Sequence, residues 1–358
     1  MANICQIGAG MIGQTMAIDL AENHNVSLGD INISSIKDKI KNHPSIKVSK
    51  INVLNKKEIL TFIKDADIVL LAVPGFLGFN ALKTIIEYGK NVVDISFSPE
   101  NIMDLNDIAV QNNVTAIFDA GVAPGIPNYI FGYHNTFEDI TNFKYYVGGL
   151  PKFPKKPFNY KAPFSPIDVI EEYIRPARMM VNGKKITKPA LSEIERLSFN
   201  DSIELEAFNT DGLRSLLKTM AHVKNMSEKT LRYPGHAKLI KSYIEKEILQ
   251  TDVTIKKLFK EWKLKPDEQE FTILRVEIQT DNKKIRYNLY DEYDDSSQTT
   301  SMARTTGYTA TATINLILEK LFCEKGVFPP ELVSINKRIF NFIINYLSER
   351  NVKISKYI

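Results

Sequence analysis

The stretch Ile7-Gly8-Ala9-Gly10-Met11-Ile12-Gly13 decides the fold of the first part of the chain, because it follows a β-rich run and opens a helical pattern. In such a strand-to-helix turn Gly8 permits the tight turn, Gly10 lets the backbone approach a pyrophosphate, and Gly13 lets helix and strand pack closely. The free amides at the N-terminus of the helix then face the phosphates. The stretch therefore predicts a dinucleotide-binding turn, with cofactor contacts from Gly8, Gly10, Met11, Ile12 and Gly13. A glycine turn that binds no nucleotide is the alternative.

The next β-rich run ends in Asp30, at the distance from the glycines where dinucleotide-binding folds place an acidic residue. Such a carboxylate accepts hydrogen bonds from the ribose hydroxyls of the adenosine. It also repels the 2′-phosphate of NADP, and the following Ile31 and Asn32 offer no cation to hold that phosphate. Asp30 therefore predicts NAD as the cofactor, favoured over NADP by at least about tenfold.

Outward from this turn, β-rich runs alternate with helical patterns. The runs lie at residues 3–7, 25–28, 47–53, 67–73, 91–95 and 115–118, and the clearest helical patterns at residues 11–22 and 56–64. Strands that alternate with helices form a parallel, doubly wound sheet of the Rossmann type. The apolar pair Val92-Val93 suits a strand that is covered on both faces. We therefore predict an α/β fold whose first domain is a Rossmann domain at residues 1–125.

The ends of later strands complete the predicted cleft, since open α/β sheets bind ligands at the carboxyl edge of their strands. The residues at these ends that we expect to contact the cofactor are Val73, Pro74, Ser96, Ala120 and Pro124. The run 118–125 contains two glycines and a proline and suits a chain that passes close to the nicotinamide. It also suits a domain-crossing loop with tight turns, and the two roles are compatible.

From about residue 142 the pattern becomes that of an α+β domain. Its predicted elements are strands at 143–147 and 203–208, helices at 211–221 and 237–247, and hairpins that turn at Asn182-Gly183 and Asp281-Asn282. These elements predict an inserted α+β domain with an antiparallel sheet at residues 126–300. An apolar helix at 309–322 is expected to pack back on the first domain, within a C-terminal region of helices at residues 301–358.

Composition and charge exclude several classes of function. The net charge of +4 is spread thinly along the chain, whereas a nucleic-acid binder concentrates its basic residues on one face. No stretch of the sequence reaches the 18 apolar residues of a membrane-spanning helix. Cys5 and Cys323 lie far apart, without metal-ligating residues nearby. We therefore expect a soluble, cytoplasmic protein with reduced thiols, no metal, and neither nucleic acid nor membrane as a partner.

Several motifs beyond the first turn carry a resemblance to a known family. They are Asp-Ala-Gly-Val-Ala-Pro-Gly at 119–125, Val-Gly-Gly-Leu-Pro at 147–151, Thr-Leu-Arg-Tyr-Pro-Gly-His at 230–236 and Thr-Ser-Met-Ala-Arg-Thr-Thr-Gly-Tyr at 300–308. With these motifs the chain resembles the saccharopine dehydrogenase-like family over nearly its whole length, and within it most of all the NAD-dependent lysine 6-dehydrogenases. The resemblance implies a Rossmann domain, an inserted α+β substrate domain, an amino-acid substrate, and a homodimer formed through the inserted sheet.

Two departures from the family pattern bear on the substrate. The saccharopine-forming reductases read Gly-Leu-Asp-Pro-Gly where this chain has Gly121-Val122-Ala123-Pro124-Gly125, and Asn-Arg-Asp-Ser where it has Asn209-Thr210-Asp211-Gly212. Arginine is the usual bidentate partner of a carboxylate, and saccharopine carries two more carboxylates than lysine. The resemblance without that arginine implies a smaller substrate. The expected reaction is NAD-dependent oxidative deamination of the ε-amine of L-lysine, with release of ammonia and an aldehyde that cyclises to piperideine carboxylate.

The resemblance also implies three candidate catalytic residues. Asp119 stands at the carboxyl end of a strand and is expected to orient the amine. Its alternative role is to cap the turn that follows. His236 and Tyr160 are candidate proton handlers, although a single histidine is more often structural.

Arginines and small polar residues of the same motifs are candidates for binding the substrate. Arg304 and Arg232 are expected to hold the α-carboxylate, and a salt bridge across the domain interface is the alternative for each. Asn209 and Thr305 complete the predicted substrate-binding set. Three further residues line the pocket or pair at the surface: Glu171, Glu172 and Arg175.

Two other functions remain open at this point. A saccharopine dehydrogenase or a related opine-type dehydrogenase joins an amine to a keto acid. A non-catalytic NAD-binding protein binds NADH without turning over an amine.

Overall fold

The computed structural model describes residues 1–199, 203–248, 252–265 and 268–358. These residues form two compact units. The first unit consists of Met1–Thr136 and Ala303–Asn351, and the second of Phe137–Met302 and Val352–Ile358. The predicted domain ends at residues 125 and 300 lie near these bounds, but Val352–Ile358 belongs to the second unit and not to a C-terminal region of the first.

Strands and helices alternate in the first unit, whereas strands predominate in the second. The strands of the described residues are, in chain order, β1 (Asn3–Ile7), β2 (Asn25–Asp30), β3 (Ile46–Lys50), β4 (Ile68–Leu71), β5 (Val92–Asp94), β6 (Thr115–Phe118), β7 (Ile140–Pro151), β8 (Ala177–Val181), β9 (Lys184–Lys188), β10 (Glu195–Phe199), β11 (Ile203–Asn209), β12 (Asn225–Arg232), β13 (Glu270–Thr280), β14 (Lys284–Glu292), β15 (Gly326–Phe328) and β16 (Ile354–Tyr357). The α-helices are α1 (Met11–Ala21), α2 (Asp38–Lys41), α3 (Lys56–Ile63), α4 (Gly75–Glu87), α5 (Asn106–Gln111), α6 (Ile126–Asn135), α7 (Pro166–Ile174), α8 (Leu216–Thr219), α9 (His236–Glu245), α10 (Asp252–Trp262), α11 (Ser301–Leu318), α12 (Pro330–Val333) and α13 (Lys337–Glu349).

The first unit is built on a sheet with the strand order β15-β6-β5-β4-β1-β2-β3. Each pairing described in it is parallel. β4, β5 and β6 are buried throughout, as expected for strands covered on both faces. The predicted doubly wound sheet is therefore confirmed, and β15 adds an edge strand that the sequence analysis did not predict.

Helices of the first unit pack on this sheet through apolar side chains spaced by one helical turn. Ile59 and Ile63 of α3 are buried in the same core cluster as Leu82 of α4. α3 begins after Asn55, whose side chain accepts a hydrogen bond from Lys57 N–H. This packing holds the strands in place, and with them the carboxyl edge where the predicted cleft lies.

The second unit is built on a mixed sheet with the order β10-β11-β12-β7-β13-β14-β16. The pairs along this path are antiparallel except for β7 with β12, which run parallel. The predicted antiparallel sheet thus contains one parallel pair, because a long crossover carries the chain from β7 to β12. The predicted hairpin is confirmed, since β8 and β9 flank Asn182 and Gly183, whose φ angles of +50° and +74° suit a type I′ turn.

Two predicted elements of the second unit have other bounds in the structure. β7 continues through Gly148 to residue 151 instead of ending at residue 147, because β13 pairs with it over this whole range. The helix predicted at 211–221 is reduced to Leu216–Thr219. Its first residues are not helical because Asp211 holds Arg178 and Gly212 N–H donates to a carboxylate of the sheet.

α11 begins at Ser301 and ends at Leu318, whereas the sequence predicts a helix at 309–322. Glu270 of β13 fixes this start, because its carboxylate accepts hydrogen bonds from the N–H and the hydroxyl of Ser301. A cap that comes from so distant a residue leaves no local signal in the sequence. None of the helices in the described ranges is long and apolar enough to cross a membrane.

Candidate functional site

The glycine loop, residues 8–13, lies against the residue that follows β4. Gly8 has φ +110°, and a Cβ on it would stand 2.2 Å from the carbonyl oxygen of Ala72. A Cβ on Gly13 would stand 2.3 Å from the carbonyl oxygen of Gly8. A Cβ on Gly10, in contrast, would meet no described atom within 4 Å. The loop therefore requires Gly8 and Gly13 for its own fold, while Gly10 borders open space.

The N-terminus of α1 is arranged to receive an anion. The helix begins at Met11 with Gly10 as its N-cap, and among the described residues no side chain caps it and no acidic residue stands in its first turn. Met11 is exposed and Ile12 is half-buried. N–H groups at such a terminus hold phosphate through hydrogen bonds and the helix dipole.

Asp30 joins the glycine loop to the end of β2. One carboxylate oxygen accepts from the N–H of Ala9 and the other from the N–H of Asn32, each at 2.7 Å. The residue is only partly buried, and each carboxylate oxygen accepts more than one hydrogen bond. Asp30 is therefore placed to bind ribose hydroxyls as well. The loop, the helix N-terminus and this carboxylate together fit the pyrophosphate and adenosine ribose of a dinucleotide.

α4 holds the segments that follow β4 and β5. Val73 is buried, and Pro74 is the exposed N-cap of α4. The hydroxyl of Ser96 lies 3.1 Å from that of Ser98. A Cβ on Gly78 of α4 would stand 2.0 Å from the hydroxyl oxygen of Ser96. Ser96 therefore turns its hydroxyl toward α4. As cofactor contacts, Val73, Pro74 and Ser96 stay predictions.

The residues after β6 form a tight loop that begins at Asp119. Asp119 is buried and has φ +58°, in the left-handed region. The N–H of Ala120 donates to the carbonyl oxygen of Asp94 at 3.4 Å, and the N–H of Gly121 donates to that of Pro124 at 3.1 Å. The backbone of Asp119 suits the turn role that the sequence left open beside the catalytic one. Ala120 and Pro124 remain predicted cofactor contacts.

Asn128 and Glu331, a buried pair that the sequence analysis missed, close this loop. The side-chain oxygen of Asn128 accepts from Gly125 N–H at 3.1 Å, and its amide nitrogen donates to Glu331 at 2.8 Å. A Cβ on Gly125 would lie 1.8 Å from the carbonyl oxygen of Gly121, so the two ends of the loop are in contact. The signal for Asn128 is its place three residues after a glycine N-cap. Glu331 has no local signal.

Arg304 and Thr305 lie in the first turns of α11, within the first unit. The buried guanidinium of Arg304 donates to the backbone carbonyl of Arg350 at 3.1 Å. Thr305 is fully buried. A Cβ on Gly121 would stand 3.2 Å from the methyl group of Thr306, so this end of α11 packs on the loop after β6. Arg304 and Thr305 stay predictions as substrate-binding residues.

Arg232 is the centre of a polar cluster in the second unit and is 2% exposed. Its guanidinium pairs with Glu172 at 3.1 Å and donates to the hydroxyl of Tyr173 at 2.9 Å. The same guanidinium stands over the ring of Tyr160, 4.4 Å from the centroid. The side chain of Glu172 is 24% exposed, so the pair is only partly desolvated. The structure thus brings Arg232 and Tyr160 together, and the salt bridge of Arg232 with Glu172 lies within the second unit.

His236 belongs to the same cluster, with both ring nitrogens engaged. Nδ1 is 2.8 Å from the carbonyl oxygen of Phe158, and Nε2 is 3.0 Å from the hydroxyl of Tyr173. Because a carbonyl oxygen only accepts, Nδ1 carries the hydrogen and Nε2 accepts from Tyr173. Burial, together with the charge of Arg232, lowers the pKa of His236 to about 3. Burial also raises the pKa of Tyr160 well above its ordinary value. This arrangement favours an orienting role for His236 over proton transfer.

Asn209 lies on the opposite face of the second sheet from Arg232. In the pairing of β11 with β12 it stands opposite Lys229, whereas Arg232 stands opposite Glu206. Side chains alternate along a strand, so Lys229 and Arg232 point to opposite faces. The amide of Asn209 donates to Glu193 at 2.9 Å. The second unit therefore does not bring these two predicted substrate-binding residues together.

Glu228 is a buried carboxyl that the sequence analysis missed. It accepts from the hydroxyl of Thr210 at 2.7 Å and from the N–H of Gly212 at 3.0 Å. Burial raises its pKa to about 8, so the carboxyl is protonated at neutral pH. The sequence pattern that could have identified Glu228 is alternation. Glu228, Thr230 and Arg232 are polar residues spaced by two within a buried stretch of β12.

Comparisons with known proteins agree with the fold. Residues 4–117 match the saccharopine dehydrogenase NADP binding domain, and residues 121–352 match the saccharopine dehydrogenase C-terminal domain. The mitochondrial alpha-aminoadipic semialdehyde synthase of Mus musculus is 21% identical over 254 residues, which cover 67% of this chain and 27% of that protein. The saccharopine dehydrogenase (NADP+, L-glutamate-forming) of Saccharomyces cerevisiae is 23% identical over 279 residues, which cover 70% of this chain and 59% of that protein.

A solved structure has the same fold. Apo histidine-tagged saccharopine dehydrogenase (L-Glu forming) from Saccharomyces cerevisiae superimposes with a TM-score of 0.80, at 17% sequence identity and with 100% of both chains covered. The match of the C-terminal domain alone spans more than half of this chain. The chain belongs to the saccharopine dehydrogenase family, which confirms the resemblance at that level.

Proposed function

We propose that this chain is an NAD-dependent dehydrogenase that oxidatively deaminates the ε-amine of L-lysine. When bound, the nicotinamide accepts the hydride that leaves the carbon bearing the amine. Water then adds to the resulting imine and ammonia departs, so lysine, NAD⁺ and water become the aldehyde, ammonia, NADH and a proton. The aldehyde cyclises with the α-amine of the same molecule.

Asp30 supports the choice of NAD. Both of its oxygens are fixed by backbone N–H groups, so the carboxylate stays where a 2′-phosphate of NADP would approach it. The matched domain and the yeast relative are named for NADP, which makes NADP the second candidate for the cofactor.

The observation that carries the choice of substrate is the pairing of two arginines in the second unit, to which the resemblance assigns the substrate. Arg232 pairs with Glu172. The guanidinium of Arg178 donates to both carboxylate oxygens of Asp211, at 2.9 Å and 2.7 Å. These guanidinium groups already have carboxylate partners, and a buried carboxylate without a cation is costly. The cluster is therefore a poor host for the two additional carboxylates of saccharopine.

Thr210 supports the same choice. It stands where the saccharopine-forming reductases carry an arginine, and its hydroxyl donates to the buried carboxyl of Glu228. The position thus offers a hydroxyl next to an acid in place of a cation. A substrate arm that ends in carboxylates would therefore find no cation at this position.

The proposal assigns different roles to the candidate residues. Asp119, at the carboxyl end of β6, accepts a hydrogen bond from the amine, since ligands of open α/β sheets bind at that edge. Arg304 holds the α-carboxylate, the role that the resemblance implies for it. Tyr160 and His236 keep the guanidinium of Arg232 in place.

The experiment that tests the function is a screen of NAD and NADP reduction over amino acids and polyamines, with saccharopine included. We expect L-lysine to give the fastest reduction. Because hydride loss needs the neutral amine, and about 1 in 2,500 lysine ε-amines is neutral at pH 7, kcat/KM for lysine should climb between about pH 7 and 10. Fast reduction with saccharopine would favour the second candidate, a saccharopine or opine-type dehydrogenase. Binding of NADH without turnover of any amine would favour a non-catalytic protein.

We further propose that the chain forms a homodimer through its second sheet, as the resemblance implies. Sedimentation of the full chain tests this assembly. A mass of twice 40.7 kDa supports it, and a monomer at all concentrations contradicts it.

A further inference from the structure

Gln6, in β1, contacts both ends of the glycine loop. The residue is 0% exposed. Its amide nitrogen donates to the carbonyl oxygen of Gly8 at 2.9 Å and to that of Gly13 at 2.6 Å. With two acceptors on one side, the nitrogen and not the oxygen of the amide must face the loop. A single side chain thus bridges the start of the loop and the first turn of α1.

Burial of the Gln6 amide within β1 is expected to lower the stability of the fold. The neighbouring Ile4, Cys5 and Ile7 are buried and apolar, as expected for a central strand of a parallel sheet. The amide oxygen of Gln6 is buried without a hydrogen-bond partner in the described part of the chain. Burying such a group without a partner destabilises a fold. The contacts that the amide makes are those to the loop.

We propose that Gln6 is a positioning residue for dinucleotide binding. One hydrogen bond fixes the carbonyl oxygen of Gly8, which packs directly on Gly13, and the other ties the same amide to the carbonyl oxygen of Gly13. Without the amide, this carbonyl loses its donor and becomes free to turn toward the N-terminus of α1, where it would repel phosphate oxygens. Gln6 therefore keeps the free N–H groups of the helix, and not a carbonyl, directed at the pyrophosphate.

The expected effect follows from preorganisation. A ligand that binds only one loop conformation is weakened in proportion to the fraction of protein in that conformation. If loss of the amide leaves about one tenth of the molecules in the binding conformation, the Kd for the dinucleotide rises about tenfold.

The first test compares Gln6→Met, which keeps the length of the side chain but removes both donors, with Ile63→Ala. Ile63 is buried in α3 of the same unit, so its truncation destabilises the core without touching the loop. NADH and NADPH titrations give the Kd, and thermal unfolding of the free protein gives the Tm. We expect Gln6→Met to raise the Kd about tenfold. Ile63→Ala should lower the Tm at least as much as Gln6→Met does, while it changes the Kd by less than about twofold.

A second variant, Gln6→Glu, covers the case in which Gln6→Met does not fold. Its neutral carboxyl still donates one hydrogen bond, whereas the ionised form places a negative charge against two carbonyl oxygens. The Kd of this variant relative to the native protein should therefore rise with pH. A constant ratio from pH 6 to 9 overturns the proposal, as does a Gln6→Met Kd within about twofold of the native value.

This inference rests on the proposed cofactor binding, and the titrations separate the two. If the native chain binds neither NADH nor NADPH, the cofactor assignment and the role of Gln6 fall together. If the native chain binds and the variants bind equally well, only the role of Gln6 is overturned.

Discussion

Gln6 lies only two and seven positions from Gly8 and Gly13, the two residues of the glycine loop to which it donates. Around Arg232, in contrast, the partners Tyr173 and Glu172 lie 59 and 60 positions away. The loop depends on the absence of side chains at two glycines, and the cluster depends on paired charges. Because of this difference, we expect added atoms to disrupt the loop and a removed charge to destabilise the cluster.

The largest effect is expected from an added methyl group in the loop. In Gly13→Ala the new Cβ would stand 2.3 Å from a backbone oxygen, so the loop must move and the Kd for NADH should rise at least about 100-fold. Gly10→Ala is the matched control for the fold, because its Cβ meets no described atom within 4 Å. Its Tm should equal that of the native protein. Titration and thermal unfolding of both variants check this, and an equal Tm and Kd for Gly13→Ala would contradict it.

The next effect is the loss of a charge from the cluster. Arg232→Met leaves Glu172 without its partner and removes the donor to Tyr173, so the free energy of unfolding should fall by about 3 kcal/mol. Arg286→Met is the control, since that side chain is 52% exposed and pairs with Glu277 at the surface. It should cost about 1 kcal/mol or less. Urea unfolding measures both, and equal costs would show that burial of the pair has no influence.

A smaller effect concerns the pH dependence of stability that arises from the buried carboxyl of Glu228. The pKa of Glu228 is about 8 in the folded chain and near 4.5 in the unfolded chain, so between these values the folded chain binds more protons. Stability therefore falls as pH rises through this window, by about 2 kcal/mol between pH 6 and 8. Glu228→Gln should remove this fall in stability between pH 6 and 8, whereas the control variant Glu277→Gln should retain it. Urea unfolding at both pH values checks the difference, and parallel losses in all three proteins would argue against a buried acid.

The smallest expected effect is a change of cofactor preference. Asp30→Ser combined with Ile31→Arg removes the carboxylate that repels the 2′-phosphate and adds a cation that pairs with it. The preference of the native chain for NADH over NADPH, at least about tenfold, should narrow or reverse. Titration with both cofactors measures it. Equal affinities in the native chain would contradict the role assigned to Asp30.

The contrast between the two regions also explains what the sequence predicts. Gly8, Gly10 and Asp30 are readable because the loop and the strand that follows it are contiguous in the chain. The same locality makes the first sheet predictable, apart from β15, which joins it from residue 326. Gln6 escaped notice because the pattern of β1 is apolar and its amide has meaning only through the folded loop.

The second unit is less predictable because its contacts are distant. Glu270 caps a helix that begins 31 positions later, and Glu228 accepts from Thr210, 18 positions before it. Local spacing does not indicate which residue either carboxylate contacts. The faces of the strands are fixed by register, which is why Asn209 and Arg232 were grouped by motif and are separated by the sheet.

The proposal that the chain oxidises L-lysine and not saccharopine is tested by kcat/KM for each of the two substrates, with NAD as the acceptor and equal enzyme concentrations. The pairing of Arg232 with Glu172 and of Arg178 with Asp211 predicts measurable NAD reduction with lysine and at least about 100-fold less with saccharopine, because a buried carboxylate without a cation costs several kcal/mol. Product analysis should find ammonia released in step with NADH. A value of kcat/KM for saccharopine that is about tenfold above that for lysine would contradict the account and identify the chain as a saccharopine dehydrogenase.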